Sequence, residues 1–182
     1  LKPKAGWVEK SLQEVADLCR ENILPLNYPD VMFTHFSLPS FDLGKVPIRE
    51  SGSCIGSNKF RVPAKAILVS KLNPRIPRVW MPIYIPDTSV ASTEFLILLP
   101  KEPIIREFLF VACSAPHFTQ QMEFLATGTT GSHQRMSPND VMDMSIAIPS
   151  AIDEQRRIAD ILATMDAELA ALEAKLDKYR QI

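Results

Sequence analysis

The sequence predicts an α+β fold: a globular domain with a mixed or antiparallel sheet and short helices over residues 1–149, then one long coiled-coil helix over 150–182. Three observations predict it. Short apolar and β-branched runs are separated by Pro, Gly and Asn clusters, the patterning of strands and turns. Helix-start signals recur between those runs. After Pro149 no Gly or Pro occurs, and the apolar residues of that stretch repeat at heptad spacing.

In chain order, Ser11-Leu12-Gln13-Glu14 has capping-box spacing, and Leu12, Val15, Ala16 and Cys19 follow at helical intervals, so a short helix is expected there. Strands are expected at Val31 to Leu38, Ala66 to Ser70, Arg78 to Ile85 and Thr93 to Leu99. Pro103 suits the first turn of a helix running to about Ser114, and Pro116 starts another that ends near Gly128. Beyond the loop Gly128 to Arg135, Ser137-Pro138-Asn139-Asp140 offers an N-cap with proline at N1, and a strand from Met144 to Ile148 closes the domain.

The terminal helix is expected to start from a capping box of Ser150 with Asp153 and to run about 30 residues, or roughly 45 Å at 1.5 Å per residue. Ile158, Leu162, Met165, Leu169, Leu172, Leu176 and Tyr179 alternate spacings of four and three. With Leu162, Leu169 and Leu176 at position a, Asp166, Glu173 and Arg180 fall at e, and Glu168 and Lys175 at g. Charge therefore flanks an apolar stripe. A helix packed on its own domain shows a wider apolar face. This seam predicts pairing with a second helix.

Composition bounds the function. Hydrophobic residues at 46% and charged residues at 23% exclude disordered and fibrous classes, and 182 residues give room for one domain plus an extended element. The apolar runs are far shorter than a membrane span, and no signal peptide opens the chain, so a cytoplasmic protein without membrane association is expected. Cys19, Cys54 and Cys113 are widely separated, and His35, His117 and His133 do not complete metal spacing with them, so neither disulfide nor metal site is expected. No cofactor is expected either. The glycine-rich loop and the Asn/Asp-Pro-Pro-aromatic motif of amino-methyltransferases do not occur, and Asn73-Pro74-Arg75 does not supply the latter. Two-metal nucleases need clustered carboxylates; Pro29-Asp30 and Glu173-Ala174-Lys175 fit that pattern only when forced, the second lying on the heptad helix.

Charge is segregated although the net formal charge is only −1. From Ser51 to Pro86 the chain carries Lys59, Arg61, Lys65, Lys71, Arg75 and Arg78 and no Asp or Glu. Such a window can neutralise phosphates and place a protein on a duplex. Arg reads guanine and Asn reads adenine bidentately, so Asn73, Arg75 and Arg78, around a turn stiffened by Pro74 and Pro77, are candidate base readers. A solvated rim is the competing reading. The loop Thr127 to Arg135 ends in Ser132, His133, Gln134 and Arg135, which either contact DNA or hold a turn that docks the domain on its helix.

Three stretches together carry a resemblance. They are Gly6-Trp7 with Leu12-x-Glu14-Val15-Ala16, then Ile67 to Arg75, then Ala126 to Arg135 running on to Ile148-Pro149 and Asp153-Glu154-Gln155-Arg156-Arg157-Ile158. The chain resembles the DNA-specificity subunit of type I restriction-modification systems over nearly its whole length. The resemblance implies a DNA target recognition domain at 1–149 and a conserved spacer and dimerisation helix at 150–182. It also implies a non-catalytic subunit whose two halves each read part of a split site in double-stranded DNA. Such a subunit binds methyltransferase subunits, which restriction subunits then join. Only one half is present, so the chain is either a fragment or a half-length subunit that homodimerises through the seam, and the homodimer is expected. The alternative function is a coiled-coil scaffold whose basic window binds an acidic protein.

Overall fold

The computed structural model describes residues 4–126 and 134–180. In chain order it contains β1 (Trp7–Ser11), α1 (Leu12–Val15), β2 (Ala16–Cys19), β3 (Asn22–Ile23), β4 (Met32–Phe36), α2 (Leu38–Asp42), β5 (Ile48–Ser51) and β6 (Lys59–Arg61). There follow β7 (Ile67–Ser70), β8 (Val79–Trp80), β9 (Ser89–Ser92), β10 (Phe95–Pro100), α3 (Arg106–Ser114), α4 (Pro116–Leu125), α5 (Pro138–Met142), β11 (Ser145–Pro149) and α6 (Ile152–Arg180). The α+β class holds, with short helices, mainly antiparallel strands and one long terminal helix.

Among the described residues the strands form a β1-β11 pair, a four-stranded sheet ordered β2-β10-β7-β8, and a five-stranded sheet ordered β3-β6-β9-β4-β5. The β4-β9 pairing is parallel. β10 lies inside the four-stranded sheet, and its alternate side chains enter different cores. Leu96 and Leu98, with Ile67 and Val69, face α1, α3, α4 and α5, where Phe108, Leu109 and Phe118 meet them. Phe95 and Ile97, with Leu68 and Trp80, face the five-stranded sheet through Phe36 and Ala91. Burial on both faces explains why Phe95 to Leu99 reads as an unbroken apolar run rather than an alternating one.

Four boundaries differ from expectation. The helix at Leu12 stops after one turn, because Ala16 to Cys19 pair antiparallel with Pro100 to Ile97, and sheet pairing overrides the helical spacing. The strand expected at Arg78 to Ile85 is confined to Val79–Trp80, since Pro82 and Pro86 bring no N–H to a ladder. Pro103 precedes α3 rather than entering it, and Ile105 is the N-cap. The terminal helix is entered at Ala151, whose carbonyl accepts from the Glu154 and Gln155 amides. Ser150 instead donates its N–H to Gly6 O at 2.9 Å, which places it on the β1-β11 ladder rather than in a cap.

The first turn does carry its acidic cap. Ser11 N and Oγ donate to Glu14 Oε2 at 2.7 and 3.0 Å, and Lys10 Nζ reaches Glu14 Oε1 at 2.8 Å. Lys10 first, then Ser11, lower the Glu14 pKa to about 2. Because the folded value lies below the unfolded one, this contribution to stability is full above about pH 4.5 and is lost as pH falls towards 2. Urea melts of wild type and Glu14→Gln are expected to converge over that window; a gap that persists unchanged at pH 2 contradicts this assignment.

Candidate nucleic-acid interface

At the end of β7 the chain turns sharply. Ser70 Oγ accepts from Leu72 N at 3.2 Å and donates to Leu72 O at 3.1 Å, while Asn73 takes the left-handed conformation with φ 49°. Asn is among the few residues that adopt it cheaply. The Ile76 amide then closes the turn on Asn73 O at 3.0 Å. The far segment 134–136 is stitched onto this turn: Asn73 N donates to Gln134 O at 2.9 Å, Met136 N donates to Lys71 O at 3.0 Å, and Leu72 bridges Arg135. Two stretches singled out separately in the sequence thus form one ledge. Ser132 and His133 lie outside the described residues.

The basic window does not survive as one surface. Lys59 is buried, and its ammonium donates to Ser57 Oγ at 2.6 Å and Ser57 O at 3.3 Å. Desolvation lowers its pKa, and the Glu50 charge opposes that shift. Arg61 pairs with Glu21 at 2.9 Å. Arg78 makes a fork with Asp42, Nε to Oδ1 at 2.7 Å and Nη2 to Oδ2 at 2.9 Å, which ties α2 to the start of β8 and lowers the Asp42 pKa. Arg135 pairs with Glu94 at 3.1 Å. Among the described residues, no ion pair is recorded for Lys65, Lys71 or Arg75. Lys71 and Arg75 belong to the ledge. Lys65 precedes β7, a strand of about 13 Å, at its other end.

Asn73 is less available than its residue type promised. Its Oδ1 is buried without a hydrogen-bond partner, so the side chain presents less than a bidentate edge. Its left-handed backbone is the stronger reason for Asn at this position.

A second constellation joins the domain to α6. Gln155 is completely buried; its Nε2 donates to Pro103 O at 2.8 Å and Pro149 O at 3.0 Å, and its Oε1 accepts from Ile105 N at 3.0 Å. Beside it, Trp7 Nε1 donates to Glu154 Oε1 at 3.0 Å, and the Trp7 ring meets Phe108 edge-on at 6.0 Å. The stretches Gly6-Trp7, Ile148-Pro149 and Glu154-Gln155 therefore converge on a joint. The sequence displayed these residues but not this role, because Pro103 and Ile105 lie far from them along the chain.

Past the joint, α6 leaves the domain. Its buried residues are Gln155 and Ala159. The seam is open, with Leu162 39% exposed, Met165 53%, Leu169 57%, Leu172 62%, Leu176 48% and Tyr179 64%; Ile158 alone packs partly on the core. Among the described residues no group of three or more His, Cys, Asp or Glu could hold a metal ion, and no helix is long and apolar enough to cross a membrane.

Comparison with known proteins gives one family. The family model described as "Type I restriction modification DNA specificity domain" matches residues 4–178. The specificity subunit of the type I restriction enzyme HindI from Haemophilus influenzae is 25% identical over 174 residues, covering 91% of this chain and 36% of that protein. The HsdS subunit from Thermoanaerobacter tengcongensis superposes with a TM-score of 0.77 at 22% identity over 94% of this chain and 45% of its own. The S subunit from M. genitalium does so with 0.63 at 18% identity, over 97% and 43%. A chain from work on complex assembly and conformational transition of the type I R-M system gives 0.78 at 23% identity, over 98% and 47%. At these identities the superpositions establish the fold. The chain spans about a third of the curated relative and just under half of the solved ones.

Proposed function

The chain belongs to the type I restriction modification DNA specificity family, and from that premise we propose that it reads one part of a split DNA site and presents α6 as the helix that joins two such readers. The observation that carries this reading is the ledge, where Lys71, Arg75 and the 134–136 segment are held on one turn by main-chain bonds. Lys65 and Lys71 neutralise phosphates, and Arg75 is the base reader. Arg78, Arg61 and Lys59 serve the fold. The chain has no catalytic step of its own; methyltransferase subunits, and restriction subunits through them, act where it binds. The scaffold alternative finds no support in the family match.

Selection from random duplex DNA, with the methyltransferase partner present, tests the reading. Enrichment of a short fixed sequence is expected, and sequence-blind binding that vanishes with modest salt sinks it. Lys71→Ala is expected to weaken cognate and scrambled duplexes alike and to flatten the salt dependence by about one unit. Arg75→Ala is expected to cost about 1–3 kcal/mol on the cognate duplex and little on the scrambled one. Equal losses on both would demote Arg75 to backbone positioning.

A further inference from the structure

Between α2, β5 and the segment after β8 lies an open cleft of 740 Å³. Trp80 and Phe36 are in its wall, packed edge-on at 4.9 Å, and its lining also includes the cations Lys45 and Arg49 and the apolar pair Ile83 and Tyr84. No carboxylate lines it. Ile83 is 102% exposed, Tyr84 75% and Val46, which also lines the cleft, 68%. Single exposed apolar residues are ordinary on a protein surface; several around one cleft mark a surface that meets something.

The tip that bears Ile83 and Tyr84 is fixed at its root. Arg106, from the first turn of α3, donates from Nη2 to Pro82 O at 2.6 Å and to Ala66 O at 3.1 Å. Pro82 itself is buried, and with Pro86 it sets φ at both ends of the five-residue segment. A rigid apolar pair on a pinned base loses little entropy when it inserts into a receiver. The same cleft is lined by two cations, Lys45 and Arg49, with the Lys45 ammonium 5.1 Å from the Phe41 ring centre.

We propose that Ile83 and Tyr84 form a wedge that enters duplex DNA between stacked base pairs while Lys45 and Arg49 hold the adjoining phosphates. The proposal rests on the reading of the chain as a DNA-recognition module and adds a second contact to the ledge. Apolar side chains inserted at a base step, flanked by basic residues, unstack and kink the duplex. Duplex DNA brings phosphates to both sides of every step, which suits an acid-free cleft with cations in its lining. A protein receiver would have to supply carboxylates there instead. Insertion also reads sequence without base hydrogen bonds, because pyrimidine–purine steps yield most easily.

The test uses the whole chain with its methyltransferase partner and the duplex enriched from the random pool, carrying 2-aminopurine at successive positions of the site. Wild type is expected to raise the emission several-fold at one step. The double variant Ile83→Ala/Tyr84→Ala is expected to abolish the rise and bind about tenfold more weakly. Both side chains are exposed, so its melting curve should match wild type. A site that is enriched normally but gives flat emission at every position overturns the wedge and leaves the DNA-recognition reading intact. A rise that persists in the double variant also overturns it. A variant with normal DNA binding that no longer captures the methyltransferase makes the cleft a protein dock and overturns it as well. If wild type enriches no sequence, the parent reading fails and the wedge fails with it.

Discussion

Gln155→Leu is expected to lower the unfolding free energy by about 3–5 kcal/mol, read as a shifted urea midpoint by circular dichroism. Leucine fills most of the volume but can neither donate nor accept. It strands the Ile105 amide and the Pro103 and Pro149 carbonyls in a site from which the native side chain excludes water. Each buried group left unpaired costs about 1–3 kcal/mol, and the apolar side chain recovers part of the sum. Gln155→Glu separates hydrogen bonding from volume. Its carboxylate can still accept from Ile105, but it turns an ionised oxygen towards two carbonyls. Burial and that repulsion would raise the new carboxyl's pKa, so this variant should be most stable below the unfolded glutamate's value of about 4.3 and should weaken as pH rises from there through the raised folded value. If both variants lose less than about 1 kcal/mol, Gln155 does not hold the joint.

The consequence of the joint reaches beyond stability. With Gln155 tying α3 and β11 to the first turn of α6, and Trp7 bonded to Glu154, the direction in which the helix leaves the domain is set by buried or half-buried contacts. On the function proposed above, a second reader attached through the seam would sit at a distance and angle set by this joint.

How much of this was legible depends on whether the signal runs along the chain or across it. The long helix was legible, because a helix converts spacing directly into a face, and the apolar positions from Leu162 to Tyr179 lie on the stretch of α6 that the domain leaves uncovered. The strands at Ile67 and Phe95 were legible because burial on both faces concentrates apolar residues. Cys19 was misplaced because its partner, Ile97, is remote in sequence. Charge partners were hidden in the same way. Asp42, Glu21 and Glu94 pair with cations of the basic window or the ledge from outside that window, and no local count reveals them. The apolar tip at Ile83 was hidden by its own composition, which reads as a strand. The flanking prolines were the signal that it is not one.

Leu169→Asp/Leu172→Asp is expected to convert a self-associated wild type into a monomer in sedimentation equilibrium. The two residues are adjacent a and d positions near the middle of the seam, 57% and 62% exposed, and beyond the last residue that α6 buries on its own domain. Each leucine covered by a partner helix contributes about 1.5–3 kcal/mol. Each aspartate placed there instead is an unpaired charge facing apolar side chains, at several kcal/mol more. A two-fold axis doubles both effects, since every substitution appears on both helices. A combined loss of about 6 kcal/mol already weakens association by roughly four orders of magnitude. The domain should stay folded, because Gln155, Ala159 and the β1-β11 pair lie at the opposite end of the helix. Near-ultraviolet circular dichroism from Trp7 and Trp80 should therefore match wild type. Wild type that sediments as a monomer at high concentration overturns self-association through the seam.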